Sequence, residues 1–163
     1  MKKDEEMDKE EKKIKITPIE HGTVIDHIKK GQGMKVLRIL GLVEREIDSI
    51  VSMAMNVQSS MGKKDILKIE DLELKNEELD KISLISPNAT VNIIRNYDVV
   101  RKHNVELPEK AKGIVECSNS NCITNQREPV ESEFAVIGEN PVKLKCKYCE
   151  REMEGQEISE NVI

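Results

Sequence analysis

The sequence predicts an α+β protein built in two unequal parts. Two observations carry this. Residues 14–102 alternate between strand-like and helix-like periodicity in the order β-α-β-β-α-β, and all four cysteines are confined to residues 117–149. A third observation limits how the parts can pack. With one Phe, two Tyr and no Trp in 163 residues, and 37% hydrophobic content, the core must be made of Ile, Val, Leu and Met.

The elements follow in order. Residues 1–13, "MKKDEEMDKEEKK", mix both charge signs with almost no apolar content. They cannot offset the entropy of ordering, so a disordered tail is expected. "IKITPI" (14–19) and "TVIDHI" (23–28) read as strand pieces broken by "EHG". "GMKVLRILGL" (33–42) carries Met34, Leu37 and Leu40 at helical spacing, with Gly41 suited to the C-terminal end. "REIDSIVSMAMNV" (45–57) is rich in β-formers, and "KKDILKIEDLEL" (63–74) alternates as a strand does.

A second helix is predicted over "NEELDKISLISP" (76–87), with Leu79 and Ile82 on one face, Asn76 as N-cap and Pro87 past the end. "ATVNIIRNYDVVRK" (89–102) reads as two short strands, or as one strand broken near Asn96. This order of elements is that of a ferredoxin-like βαββαβ sandwich, with both helices on one face of an antiparallel sheet and the other face free. "HNVELPEKAKG" (103–113) is expected to be a linker. The domains would then be a tail 1–13, a first domain 14–105 and a second domain 106–163.

In the second domain the cysteines read C-x4-C, a gap of 23 residues, then C-x2-C: Cys117 and Cys122, then Cys146 and Cys149. Two short-spaced pairs at turn tips are what tetrahedral four-thiolate coordination of Zn²⁺ requires. Between them "FAVIG" (134–138) and "PVKLK" (141–145) read as strands around a "GENP" turn, giving a small β-rich four-cysteine zinc domain. Disulfides are disfavoured, since the first 116 residues hold no cysteine and the chain reads as cytoplasmic. A redox C-x-x-C would not need the second pair. One closed structural zinc site is the expectation, and it leaves no coordination position for a substrate. The metal would also supply stability that some fifty residues so poor in aromatic side chains lack.

Charge narrows the function. The net charge of −5 and the pI near 5.4 argue against a protein that coats nucleic acid. Residues 113–163 are the acidic part, with 10 acidic against 5 basic groups, while 14–112 are balanced at 15 and 16. An acidic zinc domain with no stacking aromatics makes the alternative of a nucleic-acid-binding zinc ribbon the weaker one. No apolar run approaches the roughly 18 residues of a membrane span, and the N-terminus lacks the apolar core of a signal peptide.

Candidate chemistry in the first domain is sparse. Asp26 and His27 are adjacent, and strand geometry would send them to opposite faces, which speaks against an acid–base dyad. Lys64, Ile66 and Lys68 share one strand face, and Leu67 and Ile69 the other. The lysines could grip phosphates; pattern alone favours a merely solvated face. No P-loop spacing or activated nucleophile is present, so a binding or regulatory module is expected rather than an enzyme.

The segments "GTVIDHI", "GKKDILKIE", "ATVNIIRNYDVV", "LPE", "CSNSNCITN", "EPV", "FAV" and "LKCKYCE" occur in order between residues 14 and 152. Through them the chain resembles the regulatory chains of aspartate carbamoyltransferase, an enzyme of pyrimidine synthesis. The resemblance implies a non-catalytic subunit whose N-terminal domain binds CTP, with ATP or UTP in many members. It implies a homodimer of regulatory chains, and a zinc domain docked on a separate catalytic chain. The implied holoenzyme has two catalytic trimers bridged by three regulatory dimers.

Carried over by motif, the effector site would comprise Asp26 and His27 with Ile16, Ile19 and Val24. Lys64, Lys68 and Lys102 would contact phosphates and ribose, and Asn92, Tyr97 and Val99 would complete the pocket. Arg101 would add charge near the phosphates. Asn119, Asn121, Lys147, Glu150 and Arg151 would face the catalytic chain. The sequence departs from the family pattern in its long charged tail and at Thr17 and Pro18, where proline removes an N–H donor.

Overall fold

The structure, a computed structural model, describes residues 18–44, 47–127 and 130–163. Its first layer is a five-stranded antiparallel sheet in the order β2-β3-β1-β4-β5, formed by β1 (Gly22–Lys29), β2 (Val51–Ser59), β3 (Gly62–Glu70), β4 (Thr90–Arg95) and β5 (Asp98–Asn104). Two helices, α1 (Gly33–Ile39) and α2 (Asn76–Ile85), pack with it. The inner four strands have the ferredoxin-like order, and β5 adds an edge strand through the tight Asn96–Tyr97 turn, where both residues have positive φ.

Alternation decides which face is dry. Ile25, Ile28, Leu67, Ile69, Val91 and Ile93 join Val36, Ile82 and Ile85 of the helices, and Leu40 just past α1, in one apolar cluster. Asp65 shares the helix-side face of β3 and is fully buried. Its carboxylate accepts N–H groups from Gly31 (3.0 Å), Gly33 (2.9 Å) and Asn56 (3.0 Å). One acidic group thereby satisfies donors at the start of α1 and at the bulge in β2, among them the buried Gly33 N–H.

The second layer is a four-stranded antiparallel sheet, β6-β7-β8-β9, from β6 (Lys110–Lys112), β7 (Glu133–Glu139), β8 (Val142–Cys146) and β9 (Glu152–Glu154), followed by α3 (Gln156–Asn161). Phe134, Leu144, Met153, Val115 and Ile158 form its core together with Cys117, Cys122 and Cys146. Leu84 of α2 belongs to this second cluster rather than the first, and Val162 packs against both. Lys35 Nζ donates to Ser159 Oγ at 2.8 Å across the same junction.

Several expectations needed correction. The tail 1–13 and most of the 14–19 strand lie outside the described residues, and Pro18 and Ile19 are not in a strand. The 45–57 strand begins at Val51 and runs to Ser59, while the 63–74 strand ends at Glu70, where Asp71 turns the chain at φ 57°. The α2 N-cap is Lys75, one residue before Asn76; its N–H donates to Glu78 Oε2 at 3.1 Å. The irregular segment is shorter than 103–113, because β5 runs to Asn104, Val105 is buried, and β6 begins at Lys110.

Candidate effector face and metal centre

The free face of the first sheet is set by register. Val24 of β1 stands opposite Lys68 of β3 on one side and Asn92 of β4 on the other, and Asn92 stands opposite Lys102 of β5. Directly paired residues in antiparallel strands point the same way. Lys68, Val24, Asn92 and Lys102 therefore form one row across four strands, on the face away from the helices. The side-chain oxygen of Asn92 is buried with no hydrogen-bond partner among the described residues. An acceptor of that kind in the middle of the row awaits a donor.

Asp26 and His27 join this face by a route the alternation argument missed. A β-bulge between Ile25 and Ile28 places His27 at φ 55° and lets both isoleucines face the core, three residues apart. Asp26 and His27 are thus both turned away from the core, not to opposite faces as a regular strand would have them. Asp26 Oδ1 accepts from Lys64 Nζ at 2.8 Å and from the His27 N–H at 2.6 Å. His27 Nδ1 is 3.8 Å from Asp26 Oδ2, beyond hydrogen-bond range, and 3.2 Å from Thr90 Oγ1. Burial alone would raise the Asp26 carboxyl, but Lys64 and the His27 N–H overcome it and hold the group below its ordinary value. Burial lowers the Lys68 ammonium, with Asp26 partly opposing.

The remaining candidates are less concentrated. Val99 pairs with Ile94 and is 56% exposed; Tyr97 is at the hairpin tip, 65% exposed, with its N–H on Glu20 O. Ile19 is buried, and Ile16 lies outside the described residues. Arg101 pairs with Ile93 of the core and lines a helix-side groove with Leu79 and His103. It is on the opposite face from Lys102, so it adds no charge beside that row. Sequence reasoning missed Thr90, which follows from the bulge, and Asp65, whose signal was an acid at a core-facing position of an alternating strand.

In the second layer the four cysteine sulfurs all lie within 4.8 Å of one another. Cys117–Cys149 and Cys122–Cys146 sulfurs are 3.5 Å and 3.8 Å apart. A tetrahedral ion with metal–sulfur bonds of about 2.3 Å puts its ligands about 3.8 Å from one another, so the spacing fits a four-thiolate centre. Burial, with the neighbouring thiols, pushes Cys117 up to about 12, and burial also raises Cys146. Burial works against ionising Cys149 too, but the Arg151 N–H and the Asn119 side chain bring it down to about 7. A cation at the centre would offset the cost of gathering four thiolates.

The outer shell explains several nearby residues. Asn125 Nδ2 donates to the carbonyls of Cys117 and Asn119, both at 2.8 Å, tying the C-x4-C loop into a fixed knuckle. Asn119 Oδ1 accepts the Asn121 N–H at 3.1 Å. Lys147 pairs with Glu133 at 2.7 Å, and Arg151 with Glu157 at 3.3 Å. Asn121, Lys147, Glu150 and Arg151 are exposed.

Comparison with known proteins decides what these two layers belong to. Residues 14–106 match the family pattern of the aspartate carbamoyltransferase regulatory chain, allosteric domain, and residues 109–159 match that of the same chain's metal binding domain. The chain belongs to the aspartate carbamoyltransferase regulatory-chain family. Its relatives include the regulatory chain of Pyrococcus horikoshii, 53% identical over 150 residues, covering 91% of this chain and 98% of that one. That of Thermoplasma acidophilum is 49% identical over 149 residues, covering 91% and 98%, and that of Methanosarcina mazei 50% over 157, covering 95% and 99%. As a regulatory chain it is a non-catalytic subunit in pyrimidine biosynthesis, with an allosteric domain, a four-cysteine metal-binding domain and a catalytic chain as partner. None of the described helices is long and apolar enough to cross a membrane.

Proposed function

We propose that the free face of the first sheet binds a nucleoside triphosphate of the CTP, ATP or UTP type. The observation that carries this is the Lys68–Val24–Asn92–Lys102 row, flanked by the Lys64–Asp26 pair. The lysines suit phosphates, Asn92 suits ribose or base, and Val24 offers an apolar platform. His27 lies close enough to take part, while Tyr97 and Val99 would close one edge.

The metal is Zn²⁺ in this reading, since four thiolates at tetrahedral spacing are its characteristic set. Residues 14–105 act as effector domain and 106–163 as the part that docks on the catalytic chain, with Asn119, Asn121, Lys147, Glu150 and Arg151 at that contact. The regulatory chains pair through the first domain, whose edge strand β2 carries the half-exposed Met53 and the exposed Met55 beside exposed Ile50. Two catalytic trimers and three such dimers then form a cytoplasmic holoenzyme that touches neither nucleic acid nor membrane.

Calorimetry on the zinc-replete chain tests the effector reading. CTP, ATP or UTP should bind saturably, and Lys68→Ala or Lys102→Ala should weaken binding by roughly tenfold or more, as loss of a charge-assisted hydrogen bond does. Absence of heat with all three nucleotides would reject it.

A further inference from the structure

A cavity of about 710 Å³ lies beside the effector face, with His27 at its edge. It opens between the two layers, where the ends of β1 and α2 and the β2–β3 hairpin meet the β7–β8 turn and α3. Its volume is that of a small-molecule site. Ile28, Leu84 and Val142 give it an apolar floor, and all three are buried.

Its polar lining has one dominant sign. Lys29, Lys35 and Lys63 face it, opposed by a single acid among the described residues, Glu139. Lys35 is held by Ser159, but neither Lys29 nor Lys63 belongs to any ion pair among the described residues. Gln32 also lines the cleft, and its side-chain oxygen is buried without a hydrogen-bond partner among the described residues. An acceptor buried in this way calls for a donor from outside the chain. Unpaired ammonium groups and an unsatisfied amide oxygen over an apolar floor ask for an anion that also carries hydroxyl groups.

We propose that this cleft is a second ligand site, separate from the Lys68–Val24–Asn92–Lys102 row and sharing only His27 with the effector face, for a small hydroxylated phosphate ester of the sugar-phosphate class. Lys29 and Lys63 neutralise the phosphate, and Gln32 accepts from a hydroxyl. Because the walls come from both layers, the occupant fixes how the allosteric and metal-binding domains are set against each other. The site therefore has a regulatory consequence that does not pass through the nucleotide row.

The test uses the full, zinc-replete chain carrying Lys68→Ala and Lys102→Ala, so that the effector face is disabled. Ribose 5-phosphate and inorganic phosphate are titrated calorimetrically. Both should bind saturably, ribose 5-phosphate the tighter, and adding Lys29→Glu and Lys63→Glu should weaken both at least tenfold. Gln32→Leu should weaken ribose 5-phosphate alone. No saturable binding, or binding that survives the Lys29 and Lys63 reversals, overturns the proposal. In the otherwise native chain, the same reversals should leave nucleotide affinity unchanged. If they abolish it while Lys68→Ala and Lys102→Ala do not, the nucleotide occupies the cleft and the effector reading fails along with this one. Loss of nucleotide binding in the Lys68 and Lys102 variants, with ribose 5-phosphate binding retained, supports both.

Discussion

The two layers solve the same problem, holding a sheet together with few aromatic side chains, by different means. The first builds an apolar layer: Ile, Leu and Val from three strands meet two helices, and the buried acid Asp65 satisfies the backbone donors left over. The second has a smaller sheet and one Phe, and three of the residues in its core are metal-centre cysteines. A segment of that size rarely buries enough apolar surface to be stable alone. The comparison teaches that one layer is stabilised by removing water, the other by binding an ion, and that Leu84 and the Lys35–Ser159 bond join them.

Metal removal should split the two most sharply. Chelation, or Cys146→Ser, should unfold the second layer and abolish docking on the catalytic chain, while the first sheet keeps its far-UV signal; structural zinc contributes on the order of 10 kcal/mol or more. Cooperative melting of an intact second layer after complete chelation would erase the distinction.

Leu84→Ala probes the seam. The side chain leaves α2 to enter the second core, where it is 4% exposed, so truncation should destabilise that core by about 2–4 kcal/mol. Thermal unfolding of the zinc-replete chain should show the metal layer melting earlier with the first sheet little moved; the reverse order would assign Leu84 to the wrong core.

Asp65→Ala strikes the first layer alone. Three backbone N–H groups lose their acceptor, for an expected loss of about 2–3 kcal/mol in denaturant melts. Metal affinity should not change.

The smallest effect is that of acid. Asp26 has a depressed folded value, so its contribution is fully present above the ordinary carboxylate value of 3.8 and is lost as pH falls through the folded one. With both partners partly exposed, the effect is expected to be under about 1 kcal/mol. Asp26→Asn should flatten that part of the acid limb in a stability–pH series, and an identical limb in the variant would dismiss the Lys64 pairing.

What the sequence disclosed depended on how regular each segment is. β3 alternates without interruption, so the shared face of Lys64 and Lys68 was legible. β1 does not: its bulge lies between Ile25 and Ile28, and the only sign was two core residues three apart instead of two. Arg101 was misplaced for the opposite reason. Simple alternation with Lys102 already sends it to the helix side, and proximity in sequence was mistaken for proximity in space. The cysteine spacing disclosed the metal centre, because metal geometry constrains spacing locally. The cleft between the layers was not legible, since its walls come from segments more than a hundred residues apart and depend on how two folded units meet.

The central claim is that a nucleotide held on the free face of the first sheet alters a catalytic chain docked at the metal layer. The most direct measurement reconstitutes the zinc-replete regulatory chain with its catalytic chain and records aspartate saturation with and without CTP, ATP and UTP. At least one nucleotide should shift the half-saturating aspartate concentration. Lys102→Ala should reduce that shift while the complex still assembles, as sedimentation would show. An assembled native complex whose aspartate curve no nucleotide moves, or a shift that Lys68→Ala and Lys102→Ala together leave intact, would contradict the account.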